Sequence, residues 1–107
     1  MEIKNFKQIK NVLSSNTIPI IIIYFYSISC HTSLTKIPIL QNSMKNNNNI
    51  DFYIIDIDNN SEIVKELDIT SIPLVKLYHY GKWKDDIYGT EICNSIIDDK
   101  FKFYLNN

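Results

Sequence analysis

The chain of 107 residues contains few of the residues that mark several large classes of protein. Its two cysteines are Cys30 and Cys93, whereas a small secreted domain built on disulfides usually carries four or more. Its two histidines, His31 and His79, are together with Cys30 too few and too scattered for a zinc site made by the protein alone. The sequence therefore predicts free thiols, no metal and no cofactor.

A surplus of positive charge and long apolar runs are also absent. The net charge is -1, so no basic field attracts nucleic acid. The apolar run at residues 18–26 spans nine positions and includes Pro19, well short of the ~20 residues that cross a bilayer. Residues 1–10 lack the apolar segment of a signal peptide. We therefore expect a cytoplasmic protein with no membrane and no nucleic-acid partner, and a removed leader is the alternative that the sequence leaves open.

The composition that is present is typical of one globular domain covering residues 1–107. Hydrophobic residues make up 45% of the chain and charged residues 21%, which is an ordinary balance for a domain with a single core. The four asparagines at residues 46–49 form a short low-complexity tract, which indicates a solvated loop.

Hydrophobic periodicity predicts the first two elements. Apolar residues recur at helical spacing over residues 2–14, which predicts an amphipathic helix. Residues 20–26 form a continuous apolar run without alternation, which is typical of a strand covered on both faces.

A second helix is predicted to begin close to Cys30. Thr32 or Ser33 would cap its start, and it would continue to about Lys45. Pro38 lies inside this segment and is expected to kink it, because proline removes a hydrogen bond of the helix.

The second half of the chain alternates in the same way. The predicted elements are a strand at 51–58, a short helix within 59–68, strands at 74–80 and 83–89 joined by a turn at Gly81–Lys82, and a helix at 91–105. Strands that alternate with helices and end in a hairpin predict an α/β fold. We expect a central mixed sheet of about four to five strands, flanked by helices on both faces.

In this order of elements the sequence resembles the thioredoxin family over nearly its whole length. The family pattern places a cysteine after the central strand, a proline eight residues later and a further proline in an Ile-Pro-Thr-like loop. Cys30, Pro38 and the Pro73 of "TSIPL" match these positions. Gly81 and Gly89 match the glycines in and after the terminal hairpin.

The sequence also departs from the family where the chemistry lies. The second cysteine of the family's Cys-x-x-Cys motif is replaced by Ser33. The chain also has His31 and Thr32 between the two motif positions and Ser29 directly before the cysteine. It has Tyr24 where the family has a buried acid, and Leu74 after the loop proline.

The resemblance implies thiol–disulfide exchange with Cys30 as the nucleophile and Ser33 at the resolving position. A helix N-terminus favours a thiolate, and His31 would either add positive charge nearby or lie free in solvent. Because a serine hydroxyl cannot resolve a mixed disulfide, Cys30 needs an outside thiol. The expected partners are proteins with reactive cysteines or disulfides, with glutathione or a thioredoxin-reductase-like protein as reductant.

The resemblance further implies a substrate-binding surface. In the family the loop proline is cis and faces the reactive sulfur, and the residue before it pairs with an extended substrate segment. These roles pass to Pro73 and Ile72, while the side chains of Tyr26, Ile72 and Leu74 would add apolar contacts around the sulfur.

Several alternatives remain open from the sequence. The scaffold could serve as a redox-inactive binding or adaptor module, or as a monothiol glutaredoxin-like protein that depends on glutathione and holds an iron–sulfur cluster between two subunits. Ser33 could be native or a replacement of cysteine, in which case the parent motif would be C-H-T-C and the protein a dithiol oxidoreductase. Cys93 is expected to be a buried packing residue. The resemblance places it away from Cys30, so we do not expect the two cysteines to pair.

Overall fold

The computed structural model describes residues 2–15, 17–45 and 47–106. The elements run in chain order as helix α1 (Phe6–Ser15), strand β1 (Ile20–Tyr26), helices α2 (His31–Thr35) and α3 (Ile37–Met44), strand β2 (Ile50–Asp56), helix α4 (Ser61–Glu66), strands β3 (Leu74–His79) and β4 (Lys82–Tyr88), and helix α5 (Asn94–Leu105). Short 3-10 turns at Ile57–Asn59 and Gly89–Glu91 follow β2 and β4.

The described strands form one mixed sheet in the order β2-β1-β3-β4. Strand β1 runs parallel to β2 and antiparallel to β3, and β3 pairs with β4 in an antiparallel hairpin. The prediction of a mixed sheet with helices on both faces is therefore confirmed, with four strands.

Strand β1 forms the centre of the sheet because all seven of its residues are buried. Successive side chains of a strand point to opposite faces, so a strand covered on both sides can be apolar throughout. Its even-numbered residues pack with α3 and α5, in a cluster that includes Leu40 and Phe101. Its odd-numbered residues pack with α1 and α4, in a cluster that includes Ile9 and Ile63.

The first helix begins later than its apolar periodicity predicts. Residues 2 and 3 instead extend the sheet, where Glu2 forms a parallel bridge with Ile54. The helix starts after Asn5, whose side chain accepts a hydrogen bond from the Gln8 amide at 2.9 Å, while the Gln8 side chain accepts one from the Asn5 amide at 3.2 Å. This reciprocal capping sets the helix start.

The segment after β1 contains two helices rather than one kinked helix. Helix α2 ends at Thr35, and α3 begins at Ile37 with Pro38 in its first turn. Proline is well suited to that position because its missing amide hydrogen would have no partner there. Cys30 is the cap residue of α2, so the prediction that Thr32 or Ser33 caps this helix was wrong.

Three other boundaries also differ from the predictions. Strand β2 ends at Asp56 rather than at residue 58, because the chain turns into the 3-10 segment. The hairpin turn consists of Tyr80 and Gly81, both with positive φ, and β4 already begins at Lys82. The last helix starts at Asn94, since residues 89–91 form a 3-10 turn. The loop predicted at residues 46–49 lies partly outside the described residues, and 47–49 contain no helix or strand.

Candidate active site

Cys30 lies just beyond the central strand, at the start of α2. The loop of residues 27–30 is closed by a hydrogen bond from the Cys30 amide to the Ser27 carbonyl at 3.0 Å. The Cys30 carbonyl accepts the first helical bonds, from the amides of Ser33 at 3.0 Å and Leu34 at 3.3 Å. Cys30 is partly exposed and is a free cysteine.

Ser33 lies beneath this loop and is fully buried, with 0% of its surface exposed. Its Oγ accepts a hydrogen bond from the Ser27 amide at 3.1 Å. The single hydroxyl proton faces two carbonyl oxygens, that of Ser27 at 3.0 Å and that of Cys30 at 2.7 Å. The Ser33 hydroxyl is thus hydrogen-bonded to the backbone of the loop that carries Cys30.

Tyr24 contributes a second buried hydroxyl to this region from the middle of β1. Its OH donates a 2.6 Å hydrogen bond to the Ser33 carbonyl. Burial and, to a smaller extent, the nearby Cys30 raise the pKa of the Tyr24 phenol well above its ordinary value. Tyr24 is therefore a neutral hydrogen-bond donor and cannot serve as a proton acceptor at neutral pH.

Ser27 and Asp58 belong to the same network, and the sequence reasoning missed both. The Ser27 hydroxyl donates to Asp58 Oδ2 at 2.5 Å and lies 2.8 Å from the Ser29 hydroxyl. A usable signal was present, because the carboxyl ends of parallel neighbouring strands meet at one edge of a sheet. Tyr26 pairs with Asp56, so the residues just beyond them are brought together.

The loop that contains Pro73 enters the sheet at this same edge. Phe25, near the end of β1, pairs with Leu74, the first residue of β3. The Ile72–Pro73 peptide bond is cis, and the Pro73 carbonyl accepts a hydrogen bond from the Gly89 amide at 3.2 Å. Ile72 is partly buried and Pro73 is buried. The topology thus brings the Cys30 loop and the Pro73 loop to one end of the sheet.

A model of a known protein family matches most of the chain. The model described as Thioredoxin matches residues 2–100. This chain belongs to the thioredoxin family. The prediction of that family and of its fold is confirmed.

Solved thioredoxins have the same fold at low sequence identity. The thioredoxin of Trypanosoma brucei brucei superposes with a TM-score of 0.87 at 19% identity, over 100% of this chain and 91% of that one. Fasciola hepatica thioredoxin gives a TM-score of 0.84 at 16% identity, with 96% and 97% of the two chains covered. Plasmodium falciparum thioredoxin gives 0.81 at 21% identity, with the same coverage of 96% and 97%.

A curated relative is also detected by sequence. Thioredoxin domain-containing protein 8 of Mus musculus is 26% identical over 78 residues, which amount to 73% of this chain. The matched region spans 61% of that relative's length. The match thus covers less than two thirds of that relative's length.

Within this thioredoxin domain, the side chains predicted to contact substrate differ in their accessibility. His31 is exposed at the first position of α2. Leu74 is a core residue with 1% of its surface exposed, which leaves its side chain little surface for the predicted contact with a substrate. The pairing of Leu74 with Phe25 turns its side chain into the core cluster on the α1 and α4 face.

Tyr26 is largely a core residue as well. It is 8% exposed and packs in the cluster on the α3 and α5 face. Its hydroxyl donates to Glu2 Oε2 at 3.4 Å. Burial raises the pKa of the Tyr26 phenol, and the negative charges of Glu2 and Asp56 raise it further.

Cys93 differs from its predicted role as a buried packing residue. It is partly exposed and is the cap residue at the start of α5. Its sulfur lies 3.5 Å from the Ser95 hydroxyl. The pKa of the Cys93 thiol is lowered, first by the hydrogen bond with the Ser95 side chain and then by the Ile96 amide. The prediction failed because the helix begins at Asn94, three residues later than expected, which leaves Cys93 at an exposed helix end.

The described residues contain no group of three or more His, Cys, Asp or Glu side chains placed to hold a metal ion. Across 2–15, 17–45 and 47–106, no helix is both long and apolar enough to span a bilayer.

Proposed function

We propose that this protein carries out thiol–disulfide exchange through the single thiol of Cys30, by forming mixed disulfides with protein or glutathione partners. The observation that carries the proposal is the difference in exposure between Cys30 and Ser33. Cys30 is partly exposed at the start of α2, whereas Ser33 is fully buried with its hydroxyl bonded to backbone.

The first step is attack by the Cys30 thiolate on one sulfur of a substrate disulfide. A new S–S bond forms between Cys30 and that sulfur, and the substrate's other sulfur leaves as a thiolate that takes up a proton from solvent. No electrons are gained or lost overall, because one disulfide and one thiol are exchanged for another pair.

The second step requires a thiol from outside the chain. Ser33 has no sulfur to form a disulfide, and its hydroxyl points at the Ser27 and Cys30 carbonyls. The mixed disulfide on Cys30 therefore persists until glutathione, a second cysteine of the substrate or a thioredoxin-reductase-like reductant attacks it. The cytoplasm, where glutathione is abundant, is the compartment that we propose for this cycle.

The test measures the reaction of Cys30 with oxidised glutathione by mass spectrometry. It uses the Cys93→Ser variant, so that every adduct reports Cys30, and the unfolded form of the same variant as the reference thiol. We expect folded Cys30 to react several times faster than the unfolded reference and its adduct to persist until reduced glutathione is added. A folded Cys30 that reacts no faster than the reference would refute the proposal.

A non-catalytic binding module is the second candidate. Ile28, two residues before Cys30, has 67% of its surface exposed and is therefore available for an apolar contact with a partner. Cys30→Ala separates the candidates, because it abolishes exchange but leaves such an apolar contact intact. Biological function that survives Cys30→Ala and is lost in Ile28→Ser would favour the binding module.

A further inference from the structure

Ser27 is the residue in which the hydrogen bonds around the candidate site converge. It is 3% exposed, and its amide and carbonyl are both bonded to the Ser33 hydroxyl, at 3.1 and 3.0 Å. Its carbonyl also accepts the bond from the Cys30 amide that closes the loop. Its own hydroxyl donates to Asp58 and lies beside Ser29, whose amide approaches it at 3.3 Å.

Asp58 is itself held in place by the chain that follows β2. Its amide donates to Asp56 Oδ1 at 3.0 Å, and Asp56 is a buried carboxylate with 5% of its surface exposed. The other oxygen of Asp56 accepts a bond from the Asn59 side chain at 2.7 Å. The Asp58 carboxylate is thus presented to Ser27 from a turn that is anchored in the sheet.

We propose that Ser27 and Asp58 are positioning residues for Cys30. The Ser27–Asp58 bond joins two segments that lie 31 positions apart, and it attaches the loop of residues 27–30 to the turn after β2. The loop in turn sets where Cys30 enters α2. This inference rests on the proposed function, since it assigns these residues to the same exchange reaction.

The two residues act through hydrogen bonding rather than through charge. An asparagine at position 58 retains an oxygen that accepts the Ser27 hydroxyl, whereas an alanine does not. Asp58→Asn is therefore the conservative variant, and Asp58→Ala and Ser27→Ala remove the bond from either side. Asp99→Ala is the control, because Asp99 is an exposed acid on a different element, α5.

The experiment makes two measurements on each variant in the Cys93→Ser background. The first is amide hydrogen exchange at Cys30, Ser33 and Leu34, with Ile97 in α5 as the internal reference. The second is the rate of reaction of Cys30 with oxidised glutathione, below the thermal unfolding midpoint of every variant.

In Asp58→Ala and Ser27→Ala we expect protection at Cys30 and Ser33 to fall about tenfold, with Ile97 unchanged. The exchange rate of Cys30 is expected to fall about threefold to tenfold in the same variants. Asp58→Asn and Asp99→Ala should retain both quantities within about twofold of the parent.

The two measurements distinguish a failure of the positioning role from a failure of the proposed function. Unchanged amide protection in Asp58→Ala overturns the positioning role. An Asp58→Asn variant whose amide protection and Cys30 reaction rate fall as far as those of Asp58→Ala overturns it as well. A parent protein whose Cys30 reacts slowly refutes the proposed function instead. The amide measurement still decides, in that case, whether Asp58 holds the loop.

Discussion

The hydroxyl of Tyr24 donates a 2.6 Å hydrogen bond to the carbonyl oxygen of Ser33, nine positions later in the chain. Tyr24 is fully buried in the central strand, and Ser33 lies in the first turn of α2. The two buried hydroxyl groups of Tyr24 and Ser33 are therefore both hydrogen-bonded to the backbone of the segment that carries Cys30.

Ser33→Ala is expected to destabilise the protein by about 1–3 kcal/mol, because it leaves the buried Ser27 amide without its acceptor. Denaturant unfolding measures the change. The matched control is Thr35→Ala in the same helix, which removes an exposed hydroxyl bonded to the Thr32 carbonyl at 2.8 Å and should cost less than about 0.5 kcal/mol. Equal losses in the two variants would contradict the structural role of Ser33.

Tyr24→Phe keeps the buried ring and removes only the hydroxyl. The Ser33 carbonyl loses a donor, so we expect the free energy of unfolding to fall by about 0.5–1.5 kcal/mol. Far-UV circular dichroism in urea measures the loss, with Tyr80→Phe as the control because Tyr80 is 48% exposed. A Tyr24→Phe protein as stable as the parent would show that the bond contributes nothing to folding.

Alkaline pH is expected to destabilise the fold through its buried phenols. Burial and, secondarily, Asp86 raise the pKa of Tyr78 to about 12 from the ordinary value of 10.0. The folded state therefore holds the phenol proton of Tyr78 more tightly than the unfolded state. The stability that this difference in pKa contributes is fully present below pH 10 and is lost as the pH rises from 10 to 12. The loss approaches about 1.4 kcal/mol per pH unit for each such group.

Tyr78→Phe tests this origin of the pH dependence. Urea unfolding at a series of pH values between 9 and 12 should give a shallower decline for Tyr78→Phe than for the parent, while Tyr80→Phe follows the parent. Identical slopes in all three proteins would assign the alkaline loss to other groups.

Cys93 is expected to react as a second, independent thiol. Because the Ser95 hydroxyl is the largest cause of the lowered pKa of Cys93, Ser95→Ala should raise that pKa and leave less thiolate at neutral pH. Alkylation by iodoacetamide in the Cys30→Ser background should then be slower. The control is Ser14→Ala on α1, whose hydroxyl bonds the Asn11 carbonyl. A rate unaffected by Ser95→Ala would contradict the assigned cause.

Much of the fold was predictable because its signals are local. The run from Ile20 to Tyr26 predicted β1 with the bounds that the structure shows, since an uninterrupted apolar strand can only lie between two covered faces. Capping bonds at Asn5 and the proline at the start of α3 set helix ends that periodicity alone placed differently. Such ends depend on single hydrogen bonds, which an apolar pattern does not report.

The sequence by itself determined that one cysteine follows the central strand and that a serine stands three residues later. Only the tertiary structure decided what surrounds them. It joined Ser27 to Asp58, placed the Ser33 hydroxyl against backbone carbonyls, buried Leu74 in the core and left Cys93 partly exposed at a helix end. The physical reason is that the register between strands sets which distant side chains come within hydrogen-bonding distance.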